Sequence, residues 1–273
     1  MKNIKKILFV LLVAVFTMQA CKGTKVENNG NQVVSNERKD YESDEKFANF
    51  RNVKLGNLKD NILYRGASPI DNEFKRAKCV DDLIKKAGVK FDIDLSDNED
   101  KVKNSFAASD FDSQYFKSLY ENGKVSLVDM DANMDYKSEN FGKKIVKAMV
   151  DMSKNEGPYY IHCVDGINRT GFLCILIDAL AGASYEEIVN DYMLSYENYY
   201  GLKATTNKEE YDKIKKAYID DVLRYLAVSE APINGDVPLE DLQWNNIAGR
   251  YITDQGMSFE DLDNWYNNVL KTD

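Results

Sequence analysis

The sequence predicts an α/β fold in which a central, mostly parallel sheet is flanked by helices. Two observations predict it. Short apolar runs of strand length alternate with longer runs of helical period, and the strand-like run 158–161 passes through one short loop into an apolar helix. In the 273 residues no second core-sized segment is set apart by a linker, so residues 47–273 read as one domain with a helical C-terminal extension.

Taken in order, residues 1–20 read as an export signal, with Lys2, Lys5 and Lys6 ahead of the apolar run Ile7 to Phe16, which is too short to span a membrane comfortably. Residues 21–46 are polar from Lys22 onward, rich in Asn, Glu, Lys and Gly without apolar periodicity, and are expected to form a flexible tether. Order is expected from Phe47. Residues 61–69 predict a short strand ending in a turn, 71–87 a helix, 91–95 a strand and 124–130 another. A helix follows with Phe141, Ile145, Met149 and Met152 on one face. The strand 158–161 and the apolar helix 171–181 bracket the loop between them. The last third is helical by pattern: Ser184 with Glu187 and Ser258 with Asp261 fit capping boxes, and a long helix spans about 208–226. Its many Tyr and Trp residues are expected to fill a helical core.

The formal charge is −9, and because residues 1–20 hold three lysines and no acid it becomes −12 once they are removed. Nucleic acid is a poor partner for such a body, since affinity there depends on neutralising backbone phosphates. Polyphosphorylated ligands are mildly disfavoured for the same reason.

The chemistry concentrates in the string Tyr160-Ile161-His162-Cys163-Val164-Asp165-Gly166-Ile167-Asn168-Arg169-Thr170-Gly171. If the loop curls at Gly166, the six backbone N–H groups from Val164 to Arg169 turn inward and Arg169 falls in the first turn of the following helix. Backbone donors, a helix N-terminus and a planar guanidinium all favour a tetrahedral oxyanion. The same field favours thiolate over thiol at Cys163. His162 is the sole histidine and there is no Cys-x2-Cys pair, so neither a zinc site nor a His/Cys protease arrangement is expected, and no cofactor. His162 is expected to brace the loop. Cys79 and Cys174 fall on helix-like segments as small core residues, with a disulfide between them left open.

This loop resembles the signature of the cysteine-dependent protein tyrosine phosphatase superfamily, His-Cys-x5-Arg-Ser/Thr. The stretches Asn49-Phe50-Arg51 and Tyr64-Arg65-Gly66-Ala67-Ser68-Pro69 are similar to the opening of its bacterial tyrosine phosphatase branch. The resemblance implies that Cys163 attacks phosphorus, Arg169 binds two phosphoryl oxygens and Thr170 steadies the leaving thiolate. Val164, Asp165, Gly166, Ile167 and Asn168 then complete the substrate-binding loop. It also implies an acid from a preceding loop, where Asp131, 32 positions before Cys163, is the first candidate, ahead of Asp129, with Asp135 nearby and Asp165 inside the loop. In that branch an Asp often precedes the loop arginine, whereas this chain has Asn168, which cannot protonate a leaving group. Asp165 is expected to turn away from phosphate and cap local amides. The segment Thr17 to Cys21 resembles a bacterial lipoprotein processing site, which implies an exported protein held to a membrane through lipid at Cys21. The function expected is therefore a phosphomonoester hydrolase working through a phosphocysteine intermediate on phosphotyrosine proteins. An inositol polyphosphate phosphatase and a phosphate-binding pseudophosphatase are the alternatives.

Overall fold

The computed structural model describes residues 35–230 and 237–271, so the export signal expected over residues 1–20 and the lipid site expected at Cys21 lie outside the described residues. Five strands make the sheet: β1 (Arg51–Asn52), β2 (Leu63–Gly66), β3 (Phe91–Asp94), β4 (Val125–Leu127) and β5 (Tyr159–His162), in the order β1-β2-β5-β3-β4. Only β1 runs antiparallel to its neighbour, so the expected mostly parallel sheet is present. The central place belongs to β5, with β2 and β3 parallel on either side. The loops leaving those three strands are therefore brought together at one sheet edge, where ligands of parallel sheets bind.

Strand alternation divides the core in two. Tyr159 and Ile161 of β5 join one apolar cluster while Tyr160 joins the other, as a period of two requires. After the short α1 (Asp44–Phe47), helices α2 (Ala77–Ala87), α3 (Glu99–Ala107) and α4 (Gln114–Glu121) supply Val80, Val102 and Phe116 to the second cluster. The larger cluster receives α5 (Glu139–Ser153), with Phe141, Ile145, Met149 and Met152 all buried, and α6 (Asn168–Leu180), buried on every side from Thr170 to Leu180. A helix apolar all round fits only a fully enclosed position. On α6 pack α7 (Tyr185–Tyr200) and α10 (Trp244–Asp254), while α11 (Phe259–Val269) packs on α5, and α8 (Lys208–Lys215) and α9 (Asp221–Glu230) add residues to the same cluster. The capping box at Ser184 and Glu187 forms, and the Ser258 hydroxyl accepts from the Asp261 N–H. No helix among the described residues is long and apolar enough to cross a membrane.

Several boundaries differ from expectation, each for a local reason. The helix expected from residue 71 begins at Ala77, because the Ser68 hydroxyl accepts from the N–H groups of Ile70 and Asp71 and Lys75 takes φ +55°, which commits the segment to turns. The strand expected over 124–130 ends at Leu127. Asp129 takes φ +52°, although Val128 and Met130 still donate to the carbonyls of Asp94 and Leu95. The long helix expected over 208–226 is broken by a π-helical turn at Lys216–Asp220 between α8 and α9. Within the expected tether, a 3-10 turn at Arg38–Asp40 and α1 are already formed, and Tyr41 packs its ring on Phe47 while its hydroxyl accepts from Arg76. An aromatic anchor thus orders part of a segment whose composition alone reads as coil. Cys79 and Cys174 are free thiols, the first half-exposed on α2 and the second buried in α6.

Candidate active site

Cys163 directly follows β5 and is 4% exposed, at the floor of a loop that leads into α6. Gly166 makes the turn with φ +71°, and a Cβ there would sit 2.1 Å from the Gly66 carbonyl oxygen. No other residue fits. The carbonyls of the loop are held from outside. That of Val164 accepts from the Ser68 N–H at 2.9 Å, and that of Asp165 from Asn49 Nδ2 at 3.0 Å. The Gly166 and Ile167 carbonyls accept from Arg65 Nη2 at 3.2 and 3.5 Å. Because each peptide plane is rigid, fixing its C=O outward aims its N–H inward. Among the described residues, the N–H groups of residues 164–169 donate to no protein acceptor. Convergent unpaired amides at a helix N-terminus constitute an anion site.

Behind this loop lies a buried ionic network. Arg65, fully buried, pairs with Asp191 at 2.6 Å, and Arg51 pairs with the other oxygen of Asp191 at 2.8 Å while also donating to the Ser195 hydroxyl and the Asp191 carbonyl. Burial alone would raise Asp191, yet Arg51 and Arg65 outweigh it and hold the carboxyl at about 2. Asp178 beside them is pushed well above the carboxylate range, by burial first and then by Asp191. Two guanidiniums thus converge on the one Asp191 carboxylate behind the loop.

A second buried group steadies the start of the loop. His162 Nε2 meets Asp92 Oδ1 at 3.0 Å, its Nδ1 lies 3.3 Å from the Cys163 carbonyl, and both His162 and Asp92 are fully buried. Burial opposes a charge on the imidazole, but Asp92 and Asp94 prevail and raise His162 to about 10. Burial raises Asp92 as well, against the pull of His162. The Leu95 N–H donates to the His162 carbonyl at 2.9 Å, tying the loop after β3 to the end of β5.

The remaining candidates lie at the start of α6 and on the segment after β4. Arg169 lies in the first turn of α6, and its Nη1 donates to the Met130 carbonyl at 3.1 Å, which ties the segment after β4 to the guanidinium. Asp131 comes next, exposed, with one oxygen accepting the Asn133 N–H at 2.9 Å. Asp129 accepts from Asn98 at 3.3 Å, and Asp135 is exposed farther along the segment. The Thr170 hydroxyl is fully buried and has no hydrogen-bond partner among the described residues. Next to it, Gly171 lets the Tyr192 ring lie against α6, since a Cβ there would come within 2.2 Å of that ring.

Asp165 departs from expectation. Its Oδ1 accepts the Tyr199 hydroxyl at 3.0 Å in place of local amides, and burial raises it despite Tyr199, Arg76 and Arg169. Asn168 accepts two hydroxyls, from Tyr192 at 3.1 Å and Tyr196 at 2.9 Å. Three tyrosines of α7 thus grip the loop in addition to filling the core. The residues that sequence reasoning missed are Asp92, Asp191 and the roles of Asn49, Arg51 and Arg65. The latter three lay inside the stretches similar to the phosphatase opening, whereas Asp92 and Asp191 carried no signal of their own.

Two solved structures are similar to the chain. One is the core catalytic domain of the PP-IP phosphatase SIW14 from S. cerevisiae in complex with citrate, 19% identical, TM-score 0.36, covering 66% of this chain and 95% of that one. The other, the Siw14 catalytic core, is 15% identical with TM-score 0.34, covering 66% and 94%. No curated protein matches the chain. A model of the tyrosine phosphatase family matches residues 45–271. That match takes in every strand of the sheet, the loop at Cys163 and the helices behind it, and on this ground the chain belongs to the tyrosine phosphatase family.

Proposed function

We propose that the protein hydrolyses phosphomonoesters through a phosphocysteine intermediate, with phosphotyrosine in proteins as its substrate. The observation that carries this reading is the set of N–H groups from residues 165–168, turned away from the pinned carbonyls of residues 164–167, in the loop that begins at Cys163. A phosphoryl group seated there takes its oxygens to the amides and to the Arg169 fork. The Cys163 thiolate forms the S–P bond as the ester P–O bond breaks, and the leaving oxygen takes a proton from Asp131. Water then attacks phosphorus, loses its proton to the Asp131 carboxylate, and releases orthophosphate and the thiolate. The buried Thr170 hydroxyl, free of other partners, is suited to donate to that thiolate as it departs.

The rim favours a monophosphate on a protein over a polyphosphorylated inositol. Asp71, Glu73 and Asp165 lie close enough to interact: Glu73 is raised by burial, then by Asp71 and Asp165. A polyanion would meet that flank unfavourably, while a single phosphate is neutralised inside the loop. Turnover of a phosphotyrosine peptide, a phosphoserine peptide and inositol hexakisphosphate tests the assignment. The tyrosine peptide is expected to lead, and Cys163→Ser to abolish its turnover while keeping binding of a phosphate analogue. Preference for inositol hexakisphosphate would replace the substrate, and binding without turnover in the wild type would leave a phosphate-binding protein.

A further inference from the structure

We propose that the cleft between the segment after β2 and the end of α3 binds a lysine or arginine side chain of the peptide substrate, so that the protein prefers phosphotyrosine flanked by basic residues. This rests on the proposed phosphotyrosine activity and names the peptides it would favour. The cleft holds about 490 Å³, walled on one side by residues 70–78 and on the other by Asp97, α3 and residues 108–113. Clefts of this size accommodate ligands. Both walls start at the phosphate loop. Ser68, whose N–H donates to the Val164 carbonyl at 2.9 Å, stands two residues before Ile70, and Leu95, whose N–H donates to the His162 carbonyl at 2.9 Å, stands two residues before Asp97. Two residues reach at most about 7 Å, which keeps the near end of each wall close to the residues on either side of Cys163. Glu73 in the cleft is near enough to Asp165 of the loop for the two carboxylates to interact.

The lining fits a long cation. Five carboxylates, those of Asp71, Glu73, Asp97, Asp110 and Asp112, share the cleft with two lysines. Both lysines are already engaged: Lys78 pairs with Asp82 outside the cleft, and Lys101 donates to the Ser96 carbonyl at 2.7 Å and lies 3.8 Å from Asp97. Asp110 accepts from Asn72 at 2.8 Å and so bridges the two walls, while Asp112 has no hydrogen-bond partner among the described residues. Ile70 and Phe111 add apolar surface, against which the aliphatic stem of a basic side chain packs while its charged head meets the carboxylates. Ser113 distinguishes this cleft from a solvated acidic surface. It lines the cleft, is 1% exposed and stands at the N-cap of α4, yet its Oγ has no partner among the described residues. The helix N–H groups within reach of such a cap are held instead by Asp81, which accepts from Tyr115 at 3.1 Å and Phe116 at 2.7 Å. A buried hydroxyl left unpaired is costly, and an N–H of a bound ammonium or guanidinium would satisfy it.

The test uses peptides of one alanine-rich sequence with a single phosphotyrosine, in which Arg, Ala or Glu stands in turn at each of the nearest positions on either side. Wild type is expected to favour Arg over Ala at one or two of these positions by roughly 3- to 10-fold in kcat/KM, mainly through KM, the scale of ion pairs in a half-open cleft. Glu is expected to be disfavoured at the same positions, and added salt to shrink the preference. Asp112→Asn and Ser113→Ala are each expected to weaken the preference for Arg while keeping kcat/KM on the peptide with Ala throughout. Turnover of the phosphotyrosine peptides with no preference for Arg, or a preference undiminished in both variants, overturns the cleft as a substrate site and leaves the phosphatase reading intact. Failure of wild type to turn over any of the phosphotyrosine peptides overturns both. Thermal melting of each variant checks that the fold is kept, and Asp112, being exposed, gives a variant whose folding is not at risk.

Discussion

Arg169 is the residue whose chemistry is least replaceable. Its Nη1 already holds the Met130 carbonyl, so the fork proposed to meet phosphate also ties down the segment leading to Asp131. Lysine keeps the charge but supplies a single point of contact. Arg169→Lys is expected to lower kcat by roughly 10²-fold or more, read in steady-state turnover of an aryl phosphate. Near-normal activity would remove the fork from the mechanism. Asp131→Asn is expected to depend on the leaving group: about 10²–10⁴-fold loss on alkyl phosphates and much less on activated aryl esters that depart unprotonated. Equal small losses on both would move the proton to Asp129 or Asp165. At this scale the residues of the loop were legible, because the spacing of Cys163 and Arg169 between a strand and a helix admits few other uses. The partners were not. Asp165 and Asn168 gave no sign that they would be held by tyrosines from α7, since that contact depends on how α6 and α7 pack.

Among the elements, the turn after β5 and the strands beside it were set by what lies behind them. Arg65, on β2, reaches the Gly166 and Ile167 carbonyls while paired with Asp191 of α7. Asp191→Asn leaves two guanidiniums buried without their partner and is expected to cost roughly 3–5 kcal/mol of stability, measured by urea unfolding. A change under about 1 kcal/mol would contradict the network. The Asp191 carboxyl contributes stability above its unfolded value, and that share is lost as pH falls through about 2. The His162–Asp92 pair carries the opposite sign. Its raised imidazole contributes stability that is complete below pH 6.5 and lost as pH rises through about 10. Wild type is therefore expected to unfold at lower urea at pH 10 than at pH 6, and Asp92→Asn to lose much of that difference. A difference undiminished in the variant would place its source elsewhere. The order of strands and helices was legible from periodicity, as Phe141, Ile145, Met149 and Met152 on α5 illustrate. Boundaries were less so: the Ser68 turn and Asp129 at φ +52° end regular structure through local hydrogen bonding and backbone choice, to which apolar periodicity is blind.

Across the whole molecule, a body of formal charge −9 buries Arg51 and Arg65 against Asp191 behind the loop, with Arg169 in the first turn of the helix that follows it. On the proposed reading, phosphate would be held by local donors against the net field. We propose a setting for that chemistry from the export signal expected over residues 1–20 and the lipid site expected at Cys21, on a membrane surface by a lipid anchor. Cys21→Ser is expected to move the protein from the membrane to the soluble fraction of a bacterial host, and wild type wholly in the cytosol would refute export. The α/β architecture was readable from alternation alone, whereas the coupling of β2, α7 and the loop joins residues far apart in the chain and becomes visible only in three dimensions. Everything proposed turns on Cys163 as the atom that takes the phosphoryl group. The direct measurement is acid quenching of wild type during turnover of a phosphotyrosine peptide, followed by mass spectrometry of the fragments. One phosphoryl group on the fragment containing Cys163, absent in Cys163→Ser, is the result predicted. Turnover that persists in Cys163→Ser, or a phosphoryl group found only on another residue, would contradict it.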